Sequence, residues 1–593
     1  MESQNENSHK NMKRKKRRSA MQMAKKFARR RNYDGELDTE TYQYMVHVLE
    51  IIRSEFPTMS DKQIFVDNVY QQTNGREIEF ARNQVGSRVL DSLIKYAGFD
   101  TIVRFAESFN EVLRPFNSDR FASHVLQKLI CVCAHRGNIT DAEDHADTEK
   151  VKHSEALKYN EIALKLCKYS INNVEEFIWD MYANHVLRTA IECLGGLIDL
   201  SENNDKKKFC PNLHTRRKVI KEYTDLLIAT CQRLYDLPQF PEFNHDNLTS
   251  GLVQSTLYSL KGIDSDLNSC IIKKICNDCF TGNDENKLSN IFLNECSMRL
   301  LEVCLSVSEP KDYTIIYERF FENHLGELSL MKGANFSVQR LFEHCHTKEI
   351  MEKIFDEISE HLKDILLKGH TGIFSSLAKA CGRLRAKQGS FINIICKILN
   401  CEQNDRQTHI VSLVSTLKTY EEYQNEGKTK LPINLHGSLT VQAMLNFNKP
   451  IKIVNSLLGI SAEELSELFD DPKGSRIMDA FMDSEYIGEK SRDKLAKCLQ
   501  GTWAKLACST HGSRSLDKVW AWAKQNQKLI IMEELADIGE SLRSTNAGRI
   551  ISTKLNVALF ARNKQDWLQS QGKEEKTRAL FADIIGSAKK ATL

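Results

Sequence analysis

Apolar positions along this chain recur at spacings of three and four, the period of an amphipathic helix. Tyr42, Met45, Val46, Leu49 and Ile52 set the first such stripe, with Asp38 or Thr39 placed to cap it. Pro57 lies just beyond its end, and Asp61 is expected to open a second helix carrying Ile64, Phe65 and Val69. Helical patterning continues to about residue 560, and no convincing strand alternation interrupts it. One stretch of the pattern repeats. Gly86-Ser87-Arg88-Val89-Leu90-Asp91-Ser92-Leu93-Ile94 has the same shape as Ser123-His124-Val125-Leu126-Gln127-Lys128-Leu129-Ile130. Gly474-Ser475-Arg476-Ile477-Met478-Asp479 and Gly512-Ser513-Arg514-Ser515-Leu516-Asp517 follow it too. The order is a small residue, a planar or basic one, two apolar residues, then a polar one.

Aligned on the small residue, the copies begin at Ser87, Ser123, Asn184, Ser250, Met298, Asn335, Gly372, Ser438, Ser475, Ser513 and Gly548. Six of the ten gaps lie between 35 and 38 residues, one helix–turn–helix unit per period. The long gaps hold polar insertions at 137–155, 201–217 and 421–430, which loops on a solenoid absorb without disturbing the stack. The expected fold is all-α: a curved α-solenoid of about eleven repeats, insertions falling mostly in the early ones.

Within one copy, positions i and i+4 lie about 40° apart on a helix, with i+1 beside them. Val89, Leu90, Leu93 and Ile94 occupy the other side and pack into the stack. A packing requirement accounts for that apolar half alone. Repetition of the polar half lines up short polar groups and planar side chains along one surface.

Composition adds little until charge is placed along the chain. Only 9 prolines and 27 glycines in 593 residues favour long helices. Net charge is +3, but residues 10–31 hold 12 Lys or Arg and no acid. Beyond them acids outnumber bases, 77 to 70, so a nucleic-acid-binding body must concentrate its positive charge on one face. The block Lys13-Arg14-Lys15-Lys16-Arg17-Arg18, followed by Lys25-Lys26 and Arg29-Arg30-Arg31, reads as a nuclear or nucleolar targeting signal with weak phosphate affinity. The N-terminus has no apolar signal-peptide core, and no apolar run approaches the ~18 residues of a membrane span. The 17 cysteines lie mostly among apolar residues, as buried thiols of an intracellular protein do.

These repeats resemble the Pumilio (PUF) family of RNA-binding repeats. That resemblance implies that the residues at i and i+4 hydrogen-bond a base edge while the one at i+1 stacks between bases. Ser123, His124 and Gln127, and Asn335, Phe336 and Gln339, are the fullest matches. Ser250 with Gln254, and Ser438 with Gln442, match at the outer positions, but Gly251 and Leu439 offer no stacking plane. Ser87, Arg88 and Asp91, Ser475, Arg476 and Asp479, and Ser513, Arg514 and Asp517 carry Asp where Gln or Glu is usual. Asn184 and His185 are followed by Arg188, suited to a phosphate. Met298, Arg299 and Glu302 lack the small polar residue unless the register shifts to Ser297. Gly372, Ile373 and Ser376 offer almost nothing to a base, and Gly548, Arg549 and Ser552 are partial. By the family's code Ser with Gln implies adenine, and Asn with Gln implies uracil. Selective contacts are expected at the repeats of Ser123 and Asn335, with the Asp-bearing repeats giving mainly stacking and backbone contacts.

Eleven degenerate repeats, early insertions and a basic N-terminal block look like the nucleolar protein 9 family, over roughly residues 33–560. That resemblance implies a monomer of the nucleus and nucleolus. Its partners would be pre-ribosomal RNA near the 3′ end of 18S rRNA, small-subunit precursor particles and assembly factors, with no membrane and no cofactor. It also implies a role in small-subunit maturation that restrains premature spacer cleavage. The expected domains are a disordered basic tail at 1–32, the repeat array at 33–563 and a helical, basic extension at 564–593.

Two metal-like signals are weighed against packing. Cys276-Asn277-Asp278-Cys279 has no second pair at zinc spacing, and His344-Cys345-His346 sits at a helix end. No metal site, phosphate loop or nucleophile elbow is expected, and no enzyme. The alternatives are a helical-repeat scaffold that binds protein partners without base selectivity and, behind it, an RNA-processing enzyme.

Overall fold

The computed structural model describes residues 37–54, 56–138, 152–198, 216–280, 289–425 and 432–571. Among them every regular element is a helix. The basic run at 10–31 and most of the expected insertions and C-terminal extension lie outside the described residues. The helices fall into two compact halves, Met1–Asp312 and Tyr313–Leu593.

Each repeat is a short first helix, a longer second helix and a third helix. In the first repeat these are Glu77–Arg82, Gln84–Leu93 and Phe99–Asn110. The recurring motif always lies on the second helix. In the N-terminal half the second helices are Gln84–Leu93, Ala122–Gly137, Ala183–Leu194, Asn247–Leu260 and Glu295–Val307, each packed on the next. In the C-terminal half they are Ala334–His344, Gly372–Leu384, Leu435–Leu445, Ser475–Asp483, Gly512–Trp522 and Asn546–Lys554, again packed in order. Both halves are therefore stacks of α-solenoid repeats.

The apolar quartet explains the stacking. Val89, Leu90, Leu93 and Ile94 are all buried, as are Val125, Leu126, Leu129 and Ile130. Each fully buried aliphatic side chain of this kind stabilises by roughly 1.5–3 kcal/mol. A leading helix, Thr39–Ile52, extends the row by packing on Gln84–Leu93. Asp38 caps it through Thr41 N, as its sequence suggests. The next helix starts earlier than expected: Met59–Gln71 is capped by Thr58, whose hydroxyl accepts from Asp61 N. Asp61 is thus a first-turn residue, where a carboxylate complements the helix dipole.

At the other end, Trp567 falls in the stretch expected to be an extension. It is fully buried, donates Nε1–H to Leu555 O at 2.9 Å, and meets Phe560 and Trp520 edge-on. Helix Tyr420–Asn425 likewise occupies the start of the third expected insertion. It is pinned by Glu421, which accepts from Asn400 and Arg406.

Candidate nucleic-acid interface

A side-chain cap fixes the start of most second helices and therefore their register. Asn83 Oδ1 accepts from Val85 N and Gly86 N, and Asp119 Oδ1 from Phe121 N and Ala122 N. Asp180, Asn294, Asn434 and Asp471 make the same pair of bonds. In every case the cap precedes the first motif residue by four, counting Met298 as first in its repeat. Ser297 is then the equivalent of Gly86, so that repeat keeps the register based on Met298, Arg299 and Glu302.

A close approach sharpens this. A Cβ on Gly86 would lie 2.4 Å from Phe80 O, and one on Gly474 would lie 1.9 Å from Leu468 O. Gly548 repeats the relationship at 1.8 Å from Leu542 O, again six residues upstream. Thr545 caps Gly548 N, as Ser509 caps Gly512 N. Gly548 therefore matches Gly86, and the last motif is one residue later than its sequence suggests: Arg549, Ile550 and Thr553. Arg549 moves from the middle to the first position, and the exposed middle residue is Ile550.

Repeat seven shifts the other way. Ser250 Oγ donates to Cys296 O, and Ser438 Oγ to Lys473 O, in each case two residues before the next motif begins. The residue in that position before Ser438 is His436, and its partner is Thr371 Oγ1. Thr371, Gly372 and Ser375 are therefore the motif residues, in place of Gly372, Ile373 and Ser376. Ile373, Phe374, Leu377 and Ala378 then form the buried quartet. Ile373 is wholly buried and Ser376 nearly so.

In this register the three positions have three environments. Eight first residues are buried: Ser87, Ser123, Asn184, Ser250, Asn335, Ser438, Ser475 and Ser513, while Met298 and Thr371 are half-buried and Arg549 is exposed. Middle residues are exposed: Arg88, His124, His185, Arg299, Phe336, Arg476 and Arg514, with Phe336 at 60%. Third residues are half-buried: Asp91, Gln127, Arg188, Gln254, Glu302, Gln339, Gln442, Asp479 and Asp517.

In three repeats the first residue lies beneath the surface and its side chain supports the third. Gln254 Nε2 donates to Ser250 Oγ at 3.0 Å, and Gln442 Nε2 to Ser438 Oγ at 2.9 Å. Gln339 Nε2 donates to Asn335 Oδ1 at 3.0 Å, while Asn335 Nδ2 is held by Met331 O and Lys332 O. Gln127 bonds Ser123 O and accepts from Thr189. Asn184 Nδ2 donates to Ile178 O. Ser87, Ser475 and Ser513 turn their hydroxyls back to Gln84 O, Pro472 O and Thr510 O. Their repeats are the Asp-bearing ones, whose shorter third residue is placed differently. Asp479 pairs with Arg476 at 3.1 Å, and Asp517 with Lys554 at 2.9 Å. Arg299 pairs with Glu295 within its own helix. The free face of the second helices in each half thus carries exposed planar or cationic groups, most of them beside an amide or carboxylate at the third position.

The other candidate chemistry is packing. Cys276 and Cys279 are buried in a single π-turn, Ile275–Cys279. Burial pushes the Cys279 thiol up to about 12. Burial pulls His344 down to about 4, while His346 meets the Tyr313 ring edge-on at 5.4 Å. Among the described residues no group of three or more His, Cys, Asp or Glu side chains is placed to hold a metal. No helix there is long and apolar enough to cross a membrane.

A family model described as the NOP9-like PUF repeat domain matches residues 75–208 and 252–550. The chain belongs to this family. Human nucleolar protein 9 is 24% identical over 579 residues, an alignment spanning 93% of this chain and 91% of that protein. Pumilio homolog 23 of Arabidopsis thaliana is 23% identical over 588 residues, spanning 93% and 76%. The solved structure of APUM23-GGAAUUGACGG superposes with a TM-score of 0.66 at 22% identity, covering 90% of this chain and 99% of that one. The NOP9-like PUF fold thus runs through both halves. Mouse and fungal relatives also carry the name nucleolar protein 9, so this is a nucleolar family.

Proposed function

We propose that this protein binds RNA in the nucleolus along the free face of its second helices, and acts in maturation of the small ribosomal subunit. The observation that carries the reading is the pairing at His124 with Gln127 and at Phe336 with Gln339: an exposed plane at the middle position beside a braced amide at the third. Exposed planes at solenoid spacing suit unpaired bases, whose faces stack and whose edges accept and donate. A scaffold for protein partners needs the apolar quartets but not this pairing. Within the family's setting the RNA is pre-ribosomal, near the 3′ end of 18S rRNA, and the bound protein restrains premature spacer cleavage. Small-subunit precursor particles and their assembly factors are then its partners.

The test replaces His124, Gln127, Phe336 and Gln339 together by alanine and measures filter binding to single-stranded pre-rRNA at fixed salt. The expected result is at least about tenfold weaker binding with an unchanged thermal transition, each lost stacking or edge contact being worth about 1–3 kcal/mol. Equal binding by both proteins overturns the reading and favours the scaffold. RNA turnover by the purified protein, abolished by a change that spares binding, favours an enzyme.

A further inference from the structure

We propose that Arg188 supplies, from repeat three, the stacking plane that repeat four lacks. The proposal rests on the free face being an RNA interface. Gly251 occupies the middle position of repeat four, where seven of the other repeats present Arg, His or Phe. The space above it is filled. A Cβ built on Gly251 would lie 2.8 Å from Arg188 Nη1, 3.1 Å from Cζ and 3.6 Å from Nε. Three guanidinium atoms therefore lie against the helix at the point from which a middle side chain would project.

The guanidinium is fixed there. Arg188 Nε donates to Ser255 Oγ at 3.3 Å, and Ser255 Oγ donates to Glu192 Oε1 at 2.6 Å. Ser255 follows Gly251 by one helical turn, so both anchors of the guanidinium lie on one face of the same helix. Glu192 is largely withdrawn from water. Burial raises its pKa, and the nearby Arg188 charge opposes that rise. Glycine at 251 is what leaves room for the arrangement: any larger residue would displace the guanidinium.

The C-terminal half repeats the device. Gly372 is the middle residue of repeat seven in its corrected register. A Cβ there would lie 2.5 Å from Gln339 Oε1 and 2.8 Å from both Cδ and Nε2. Gln339, like Arg188, is the third residue of the preceding repeat. Wherever the middle residue is glycine, the planar end of the preceding third residue covers it.

A base entering between repeats three and four would meet His185 on one face and the Arg188 plane on the other. Arg188 then acts as a stacking residue, not as the phosphate contact its sequence suggests. Its repeat keeps no third-position group to read that base's edge, so the nucleotide is held with little regard to identity. Stacking has this tolerance because every base has a π-face.

Selection of RNA by the full-length protein from a random pool separates the two claims. Failure to enrich any RNA overturns the reading of the face itself. With the enriched RNA labelled by fluorescein, anisotropy at fixed salt compares wild type with Arg188→Ala, Arg188→Lys and the double variant Arg188→Ala with Gly251→Arg. Loss of the plane is expected to weaken binding about tenfold in both single variants, and the double variant should return to within about threefold of wild type. One abasic nucleotide moved along the RNA should weaken wild type at a position where it no longer matters to Arg188→Ala. Unchanged affinity of Arg188→Ala overturns the proposal. So does wild-type affinity in Arg188→Lys, because lysine keeps a phosphate contact but offers no plane. If Arg188→Ala lowers the thermal transition, Arg188→Lys and the abasic scan carry the decision.

Discussion

The hydroxyl of Thr371 and the imidazole Nδ1 of His436 share a 2.8 Å hydrogen bond across 65 residues of chain. It joins repeat seven to repeat eight at the place where Ser438 joins repeat eight to repeat nine. Thr371→Val keeps the shape and removes the bond. It should cost about 1 kcal/mol in denaturant unfolding, the net worth of such a bond. Ser376→Ala, the alternative in the register read from sequence, should cost less. Its hydroxyl reaches only Glu343, at 3.5 Å.

Gly548→Ala tests the register of the last repeat. The new methyl would fall 1.8 Å from Leu542 O, so the backbone must move. A destabilisation of about 1–3 kcal/mol is expected from such overpacking. Gly389→Ala is the control, since Gly389 sits in helix Gln388–Ile398 with open space around it. That change should be neutral or stabilise by up to about 1 kcal/mol, through reduced freedom of the unfolded chain. Equal effects of the two, read from chemical denaturation, would contradict the assigned register.

These two positions also mark how far the sequence can be read. The recurring motif is sharpest at Ser87, Ser123, Ser475 and Ser513, where a Ser–Arg or Ser–His pair makes the polar half distinctive. Repeats seven and eleven have no such pair, only Gly372, Ile373 and Ser376 and Gly548, Arg549 and Ser552, so alignment on the small residue slips by one in opposite directions. The quartet at the second, third, sixth and seventh residues after the first was the available signal. For repeat seven it selects Ile373, Phe374, Leu377 and Ala378 over Phe374, Ser375, Ala378 and Lys379. The coverage of Gly251 by Arg188 was beyond reach in any register, because 63 residues separate the two and only packing of neighbouring repeats joins them. The same holds for first residues: a serine on a helix reads as displayed until the next repeat is laid over it.

Arg514→Ala should weaken RNA binding more than Arg476→Ala. Arg476 is already paired with Asp479 at 3.1 Å, so part of its charge and orientation is committed before RNA arrives. Asp517, the matching acid beside Arg514, is instead paired with Lys554. On the proposed reading Arg514 is then available to RNA. A difference of a few-fold at fixed salt, in the stated order, is expected for a stacking and charge contact of this size. The reverse order, measured on the same RNA, would contradict the division of labour between the two Asp-bearing repeats.

Acid should weaken the C-terminal half through His344. Its ordinary value is near 6.5, and burial holds it down to about 4. The unfolded chain therefore takes up a proton between those values while the folded chain does not. Stability is full above about pH 6.5 and falls as pH drops towards 4, by at most about 3 kcal/mol for a shift of this size. His344→Gln removes the titration. Between pH 7 and pH 4.5 the variant should lose less stability than wild type, measured by urea unfolding at both values. An equal loss would mean that His344 is solvated in the fold.

Trp567 shows that the array ends later than the motif does. Its ring is buried against Phe560 and Trp520, and its indole N–H is satisfied by Leu555 O. It therefore holds the last two repeats, since Trp520 belongs to Gly512–Trp522 and Leu555 follows Asn546–Lys554 directly. A solenoid repeat contacts only its neighbours, so a terminal repeat has one packed flank and needs a cap on the other. Trp567→Ala should cost about 3–5 kcal/mol, the range for truncating a buried aromatic. The loss should also be local. Amide exchange should accelerate through 512–562, while Ala334–His344 keeps its protection, because free energy of opening in such arrays falls off with distance from the damaged repeat. Uniform acceleration along Tyr313–Leu593 would instead mean that this half opens as one cooperative body, and that Trp567 stabilises all of it.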